Sequence, residues 1–125
     1  MKRTIMIPAV LLALVAMAIL APAVEAKGGQ RIVLKAAGSF PNAKGSAKLQ
    51  NEGQRELEVE VEHIRRLAGK RVSFWVNSTK IGSSKVSGLG AARIDRRGSS
   101  FPAVSVGTKI TVKTAAGGKI VSGRF

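Results

Sequence analysis

The chain has no cysteine and no tyrosine, one histidine, one tryptophan, and only seven acidic residues among 125. Without cysteine there is no disulfide framework, no thiolate nucleophile and no lipid-bearing N-terminal Cys, so stability has to come from the core alone. The single histidine, His63, and the single aspartate, Asp95, leave too few ligands for metal-assisted hydrolysis, and no metal or cofactor is expected. With five aromatic residues in all, base-stacking platforms of the kind single-stranded nucleic acids use are also scarce.

What the chain has in excess is positive charge. Twenty-one Lys and Arg set against seven Asp and Glu give a formal net charge of +14. Met1-Lys2-Arg3 leads into an uncharged stretch from Thr4 to Val24, closed by the small residues Ala21-Pro22-Ala23-Val24-Glu25-Ala26. This reads as a signal peptide over residues 1–26, cut near Ala26 or alternatively near Ala23. An uncut leader serving as an anchor is the rival, since about 20 apolar residues can cross a bilayer. Pro8 and Pro22 bracket the run and leave only Ala9–Ala21 uninterrupted, which suits a signal core better than a span. Residues 27–125 then form one domain, secreted or periplasmic, with a net charge of about +13. Such a charge draws the domain to anionic surfaces, and the attraction weakens as salt rises. Export makes an anionic envelope or extracellular polymer, or a partner protein, the expected associate; nucleic acid is less favoured.

The periodicity after the leader is that of strands. Leu57, Val59 and Val61 alternate with Glu56, Glu58, Glu60 and Glu62; Val72, Phe74 and Val76 alternate with Arg71, Ser73, Trp75 and Asn77; Ile110 and Val112 alternate with Lys109, Thr111 and Lys113. Weaker strand signals cover Arg31–Ala36, Gly45–Gln50, Lys80–Ser87, Ala91–Asp95 and Lys119–Phe125, punctuated by Gly, Ser, Asn and Pro. Ile64–Leu67 reads as one helical turn or a wide loop. Seven or eight short strands in 99 residues predict an all-β, antiparallel sandwich. Gly45-Ser46-Ala47-Lys48-Leu49 is echoed by Gly90-Ala91-Ala92-Arg93-Ile94 at a 45-residue offset, which also matches Val59 with Val104 and Val61 with Val106. Farther on, Val72-Ser73-Phe74 answers Ile110-Thr111-Val112, and Lys80-Ile81 answers Lys119-Ile120. A duplicated half-domain and a chance likeness of Gly-rich hairpins both account for the echo.

The succession of the Gly45-Ser46-Ala47 hairpin, the Val59-Glu60-Val61-Glu62 strand, the Val72–Asn77 strand and the closing Ile120-Val121-Ser122-Gly123-Arg124-Phe125 resembles small exported bacterial β-sandwich domains of uncharacterised function. That resemblance implies a fold and an extracytoplasmic address. It transfers no functional residues.

Two basic clusters are candidate ligand contacts: Arg65, Arg66, Lys70 and Arg71 after the acidic strand, and Arg93, Arg96 and Arg97 before Gly98. Trp75 is expected to point outward, as a contact surface or packed beneath a loop. The row Glu52, Glu56, Glu58, Glu60 and Glu62 reads as a solvated face whose carboxylates lie opposite Lys or Arg of neighbouring strands, with a hard-cation site as the sharper alternative. His63 has the parity of Leu57, Val59 and Val61 and is expected to be partly buried at a strand end. No catalytic residue is expected; the rival from another class is a small hydrolase using Glu58 or Glu60 with His63 as acid and base, and a third reading is a structural assembly subunit without a ligand. Asn77-Ser78-Thr79 fits a glycosylation acceptor but is expected to be a hairpin turn, as is Gly117-Gly118, while Gly28-Gly29 reads as a flexible start.

Overall fold

In the computed structural model, residues 29–51 and 53–125 are described; the leader, its cleavage positions, Gly28 and Glu52 lie outside them. The described residues form eight antiparallel strands and no α-helix: β1 (Gln30–Ala36), β2 (Lys44–Gln50), β3 (Glu56–Glu62), β4 (Arg71–Val76), β5 (Thr79–Lys85), β6 (Ala92–Arg97), β7 (Lys109–Thr114) and β8 (Lys119–Arg124). Every strand expected from alternation is present. The turn expected over Ile64–Leu67 is a single 3-10 turn, Arg65–Leu67.

The strands make one sheet in the order β5-β4-β7-β8-β1-β2-β3-β6. Two halves meet at β1, whose residues Gln30–Leu34 pair with β2 while Lys35 and Ala36 pair with β8. Gly45 sits beneath this junction: a side chain there would press on Leu34 and Val121, so glycine lets β2 pass under the crossing strand without displacing them. The sheet curls until its outer strands, β5 and β6, face one another and it is nearly closed. No backbone ladder joins them. Instead Arg96 of β6 donates from Nε to the carbonyl of Ile81 in β5 at 2.7 Å, over Gly82, where a Cβ would collide with the guanidinium.

Alternation buries one side of every strand. Leu34, Ala47, Leu49, Leu57, Val59, Val61, Val72, Phe74, Val76, Ile94, Ile110, Val112, Ile120 and Val121 fill the interior, with Ile64, Val86 and Phe101 closing it from the loops. This continuous apolar core, with no cysteine cross-link, is the main source of stability; truncating a buried aromatic such as Phe74 to Ala costs about 3–5 kcal/mol.

The internal echo divides into two parts. At the 45-residue offset, Val59 and Val61 of β3 fall on Val104 and Val106, which lie in the loop between β6 and β7, with Val106 almost fully exposed. That part of the likeness does not carry strand onto strand. The hairpins β4–β5 and β7–β8, by contrast, correspond closely. They lie side by side through β4 and β7, with Phe74 opposite Val112, flanked by Val72 opposite Thr114 and Val76 opposite Ile110. Each carries a bulge at the matching point, between Phe74 and Trp75 in one and between Val112 and Lys113 in the other. The extra residue is a buried isoleucine in both, Ile81 and Ile120. A local twofold therefore relates the two hairpins.

Candidate functional site

The two halves of the sheet carry opposite charge arrangements on their outer faces. On β3 the alternation that buries Leu57, Val59 and Val61 sends Glu56, Glu58, Glu60 and Glu62 outward. Strand register then sets cations beside them: Lys44 opposite Glu62 and Lys48 opposite Glu58 on β2, Arg97 opposite Glu56 and Arg93 opposite Glu60 on β6. The Arg93 guanidinium reaches diagonally to Glu58 at 2.6 Å and to Asp95 of its own strand at 3.2 Å. The hydrogen bond to Asp95, followed by the charge of Glu58, raises its pKa above the ordinary arginine value. Arg97 stands 3.6 Å from Glu56. The acidic row is thus the middle rung of a compensated charge ladder, as expected for a solvated face. Among the described residues no group of three His, Asp or Glu side chains could hold a metal ion.

This ladder separates the basic cluster Arg93, Arg96 and Arg97. Arg93 and Arg97 are held by carboxylates, whereas Arg96 shares the parity of Ala92 and Ile94 and turns to the seam with β5. The other cluster is also divided. Arg66 lies over the Phe40 ring at 4.3 Å and donates to the Ser39 carbonyl at 2.6 Å. Together with Arg65, His63, Ile64 and the Ser39–Asn42 segment it lines an open cleft of about 230 Å³ at one end of the sheet. Lys70 and Arg71 instead open onto β4 and β5, where Gly69 and Lys70 bond the backbone of Val86. His63 departs from its expected place: with φ at 64° the backbone leaves the strand, the imidazole is exposed, and Ile64 takes the buried position. Its Nε2 is 3.9 Å from Glu62.

The outer face of β4, β5, β7 and β8 has no counterpart to the ladder. These four strands hold Arg71, Lys80, Lys85, Lys109, Lys113, Lys119 and Arg124, and not one Asp or Glu. Pairing brings the cations together across strands: Arg71 beside Lys85, Lys113 beside Lys119, Lys109 beside Arg124. Lys35 of β1 joins at the edge through its pairing with Ser122. Crowding has an electrostatic signature at Lys109, whose pKa is lowered first by the charge of Lys119, then by burial and by Arg124.

Trp75 lies within this face. Its indole Nε1–H donates to Ser73 Oγ at 2.8 Å, its cross-strand neighbour Thr111 is buried, and the Lys113 ammonium sits over the ring at 4.3 Å from the centroid. The tryptophan is covered by a lysine of the next strand rather than by a loop. Asn77, at φ 53°, makes the β4–β5 turn that was expected there, and its Oδ1 accepts a hydrogen bond from the backbone of Lys109 at 3.0 Å, fixing the start of β7.

Sequence reasoning singled out Arg71 and Trp75 of this face but missed Lys80, Lys85, Lys109, Lys113, Lys119 and Arg124 as a group. The available signal was the lack of any acidic residue after Asp95, together with the outward parity of Lys109 and Lys113. One further cation escaped notice. Arg55 donates to the carbonyls of Gly98, Phe101 and Pro102 and stacks on the Phe101 ring at 3.9 Å, pinning the loop between β6 and β7. Comparison with known protein families and with curated proteins gives no match.

Proposed function

We propose that the chain is an exported, non-enzymatic binding module that associates with an anionic polymer of the envelope or extracellular space through the outer face of β4, β5, β7 and β8. The observation that carries this reading is the gathering of eight cations, Lys35 included, on one side of the sheet with no Asp or Glu among them, opposite a face where every glutamate of β3 has a basic neighbour. Uncompensated, crowded cations keep a favourable interaction in reserve for a polyanion, which relieves their mutual repulsion on binding. Arg71 and Lys70 extend the face towards the end of the sheet, and Trp75 contributes by seating Lys113. Arg65 and Arg66 lie at the end cleft. Arg93, Arg96 and Arg97 act within the fold.

The remaining parts of the reading follow from the sequence. Residues 1–26 are the signal peptide, residues 27–125 the mature domain, and the two halves of the sheet, β1-β2-β3-β6 and β5-β4-β7-β8, act as the two layers of a sandwich-like body. Against the hydrolase alternative stand the engagement of Glu58 by Arg93 and the position of His63 at the strand end, paired only loosely with Glu62.

Retention on a sulfonate cation exchanger tests the assignment of the face. Lys109→Gln, Lys113→Gln, Lys119→Gln and Arg124→Gln together are expected to lower the eluting salt far more, per charge removed, than Arg93→Gln with Arg97→Gln. Equal effects per charge would reject it.

A further inference from the structure

Resting on the reading above, we infer that the polymer is a linear phosphate chain without aromatic bases, recognised by its charge density and not by the shape or stacking of its repeat. Four features of the face lead there. It is the convex outside of a curled sheet, so a ligand lies along it as a strand. Its cations are mainly lysines, point charges that follow negative potential without the planar fork by which arginine selects one oxoanion geometry. They stand in successive cross-strand rows, Lys109 with Arg124, Lys113 with Lys119, Arg71 with Lys85, covering roughly 20 Å along the strands at about 3.4 Å per residue. Ser83 and Ser122, half-buried between these rows, add hydroxyl donors suited to phosphate oxygens.

A fifth feature excludes stacking. Nucleobases, and sugar rings likewise, need a bare aromatic face, and base stacking is worth about 1–3 kcal/mol per base where one is offered. On this face the one aromatic, Trp75, is already capped by the Lys113 ammonium, with its Nε1–H satisfied by Ser73. The ring therefore positions a cation and offers no platform. A chain that brings only charge loses nothing by this arrangement, whereas a nucleic acid forfeits its stacking contribution.

Trp75 is the only tryptophan, so its emission reports on this site directly. The protein is titrated at fixed salt with inorganic polyphosphate and with oligothymidylate of equal charge. Polyphosphate is expected to bind at least about tenfold more tightly per charge, with a slope of log affinity against log salt of about −3 to −5 for a site of four to seven contacts. It should also change Trp75 emission as phosphate gathers at the Lys113 ammonium over the ring, a response lost in Lys113→Gln even at saturating polyphosphate. Equal or tighter binding of the oligothymidylate overturns the base-free assignment and leaves the anion-binding reading standing. Failure of both polymers to bind, with resin retention indifferent to the Lys109, Lys113, Lys119 and Arg124 substitutions, overturns that reading itself.

Discussion

The faces of β3 and β7 are built by the same rule and end in opposite states. Both strands alternate, and both point every second side chain into one core, Leu57, Val59 and Val61 from β3 and Ile110 and Val112 from β7. On β3 the outward residues are glutamates, each with one basic residue opposite it on β2 or β6, so the charges are offset within the fold. On β7 the outward residues are Lys109, Thr111 and Lys113, and the neighbouring strands supply more cations and no acid. Charge in the first case is spent locally; in the second it is left for something outside the molecule. Net charge alone, +14 for the chain, would not distinguish them.

The largest effect should come from reversing this asymmetry. Replacing Lys109, Lys113, Lys119 and Arg124 by Gln is expected to weaken polyphosphate binding by about a hundredfold or more at low salt, because several counterion-releasing contacts vanish at once. Replacing Glu58 and Glu60 by Gln should do the reverse on the other side: with the ladder broken, Lys48 loses its opposite carboxylate and Arg93 keeps only Asp95, and a second, weaker binding face appears as a change in stoichiometry by calorimetry. If neither variant changes binding, the two faces are equivalent and the contrast between them has no functional meaning.

Next in size are cations that work only inside the fold. Arg55→Met removes hydrogen bonds to three loop carbonyls from a partly buried guanidinium and is expected to cost about 2–3 kcal/mol in urea unfolding while leaving anion binding nearly intact. Arg96→Met should lower stability through the β5–β6 seam in the same direction. A loss of binding with unchanged stability in either variant would place that residue on the binding face and not within the fold. Arg93→Gln is a smaller case, with a slight fall in the urea midpoint, since its pairs are exposed cross-strand contacts.

The smallest effect is a proton. Lys109 is held below its ordinary pKa by Lys119 and its neighbours, so at alkaline pH, between the lowered and the ordinary lysine value, part of it is neutral in the free protein. A polyanion favours the charged form, and binding in that window should be accompanied by proton uptake, seen as a buffer-dependent heat in calorimetry. The same sign governs stability: the unfolded chain holds this proton more tightly, so the contribution of Lys109 becomes more favourable as pH rises through its lowered pKa. Lys109→Gln should remove both responses.

Much of the fold was legible because a period of two is local. Leu57–Val61, Val72–Val76 and Ile110–Val112 each declare a buried face without reference to any other strand, and Gly, Asn and Pro separate the segments, although β5 ends at Lys85, short of the expected Ser87, and β6 runs on to Arg97, past the expected Asp95. The order of strands was not legible, because it depends on which edges meet after the chain has crossed from one half to the other, as it does between β3 and β4, between β5 and β6 and between β6 and β7. The same limitation governed the site. Arg93, Arg96 and Arg97 are neighbours in sequence, yet alternation and pairing send two to carboxylates and one to a seam. Lys80, Lys109, Lys119 and Arg124 are scattered in sequence and gathered only by the ladder. The departure of His63 from its expected parity is a backbone matter: one residue in the left-handed region turns the chain, and the alternation that precedes it carries no sign of the turn.

The most direct test is a chemical-shift titration of the protein with inorganic polyphosphate. Perturbations are expected to concentrate on the amides of Lys80, Lys109, Lys113, Lys119 and Arg124 and on the Trp75 indole N–H, while β2, β3 and β6 stay nearly silent. Perturbations centred on Lys44, Lys48, Arg93 and Arg97, or on the cleft between Ser39 and Arg66, would contradict the assignment of the face.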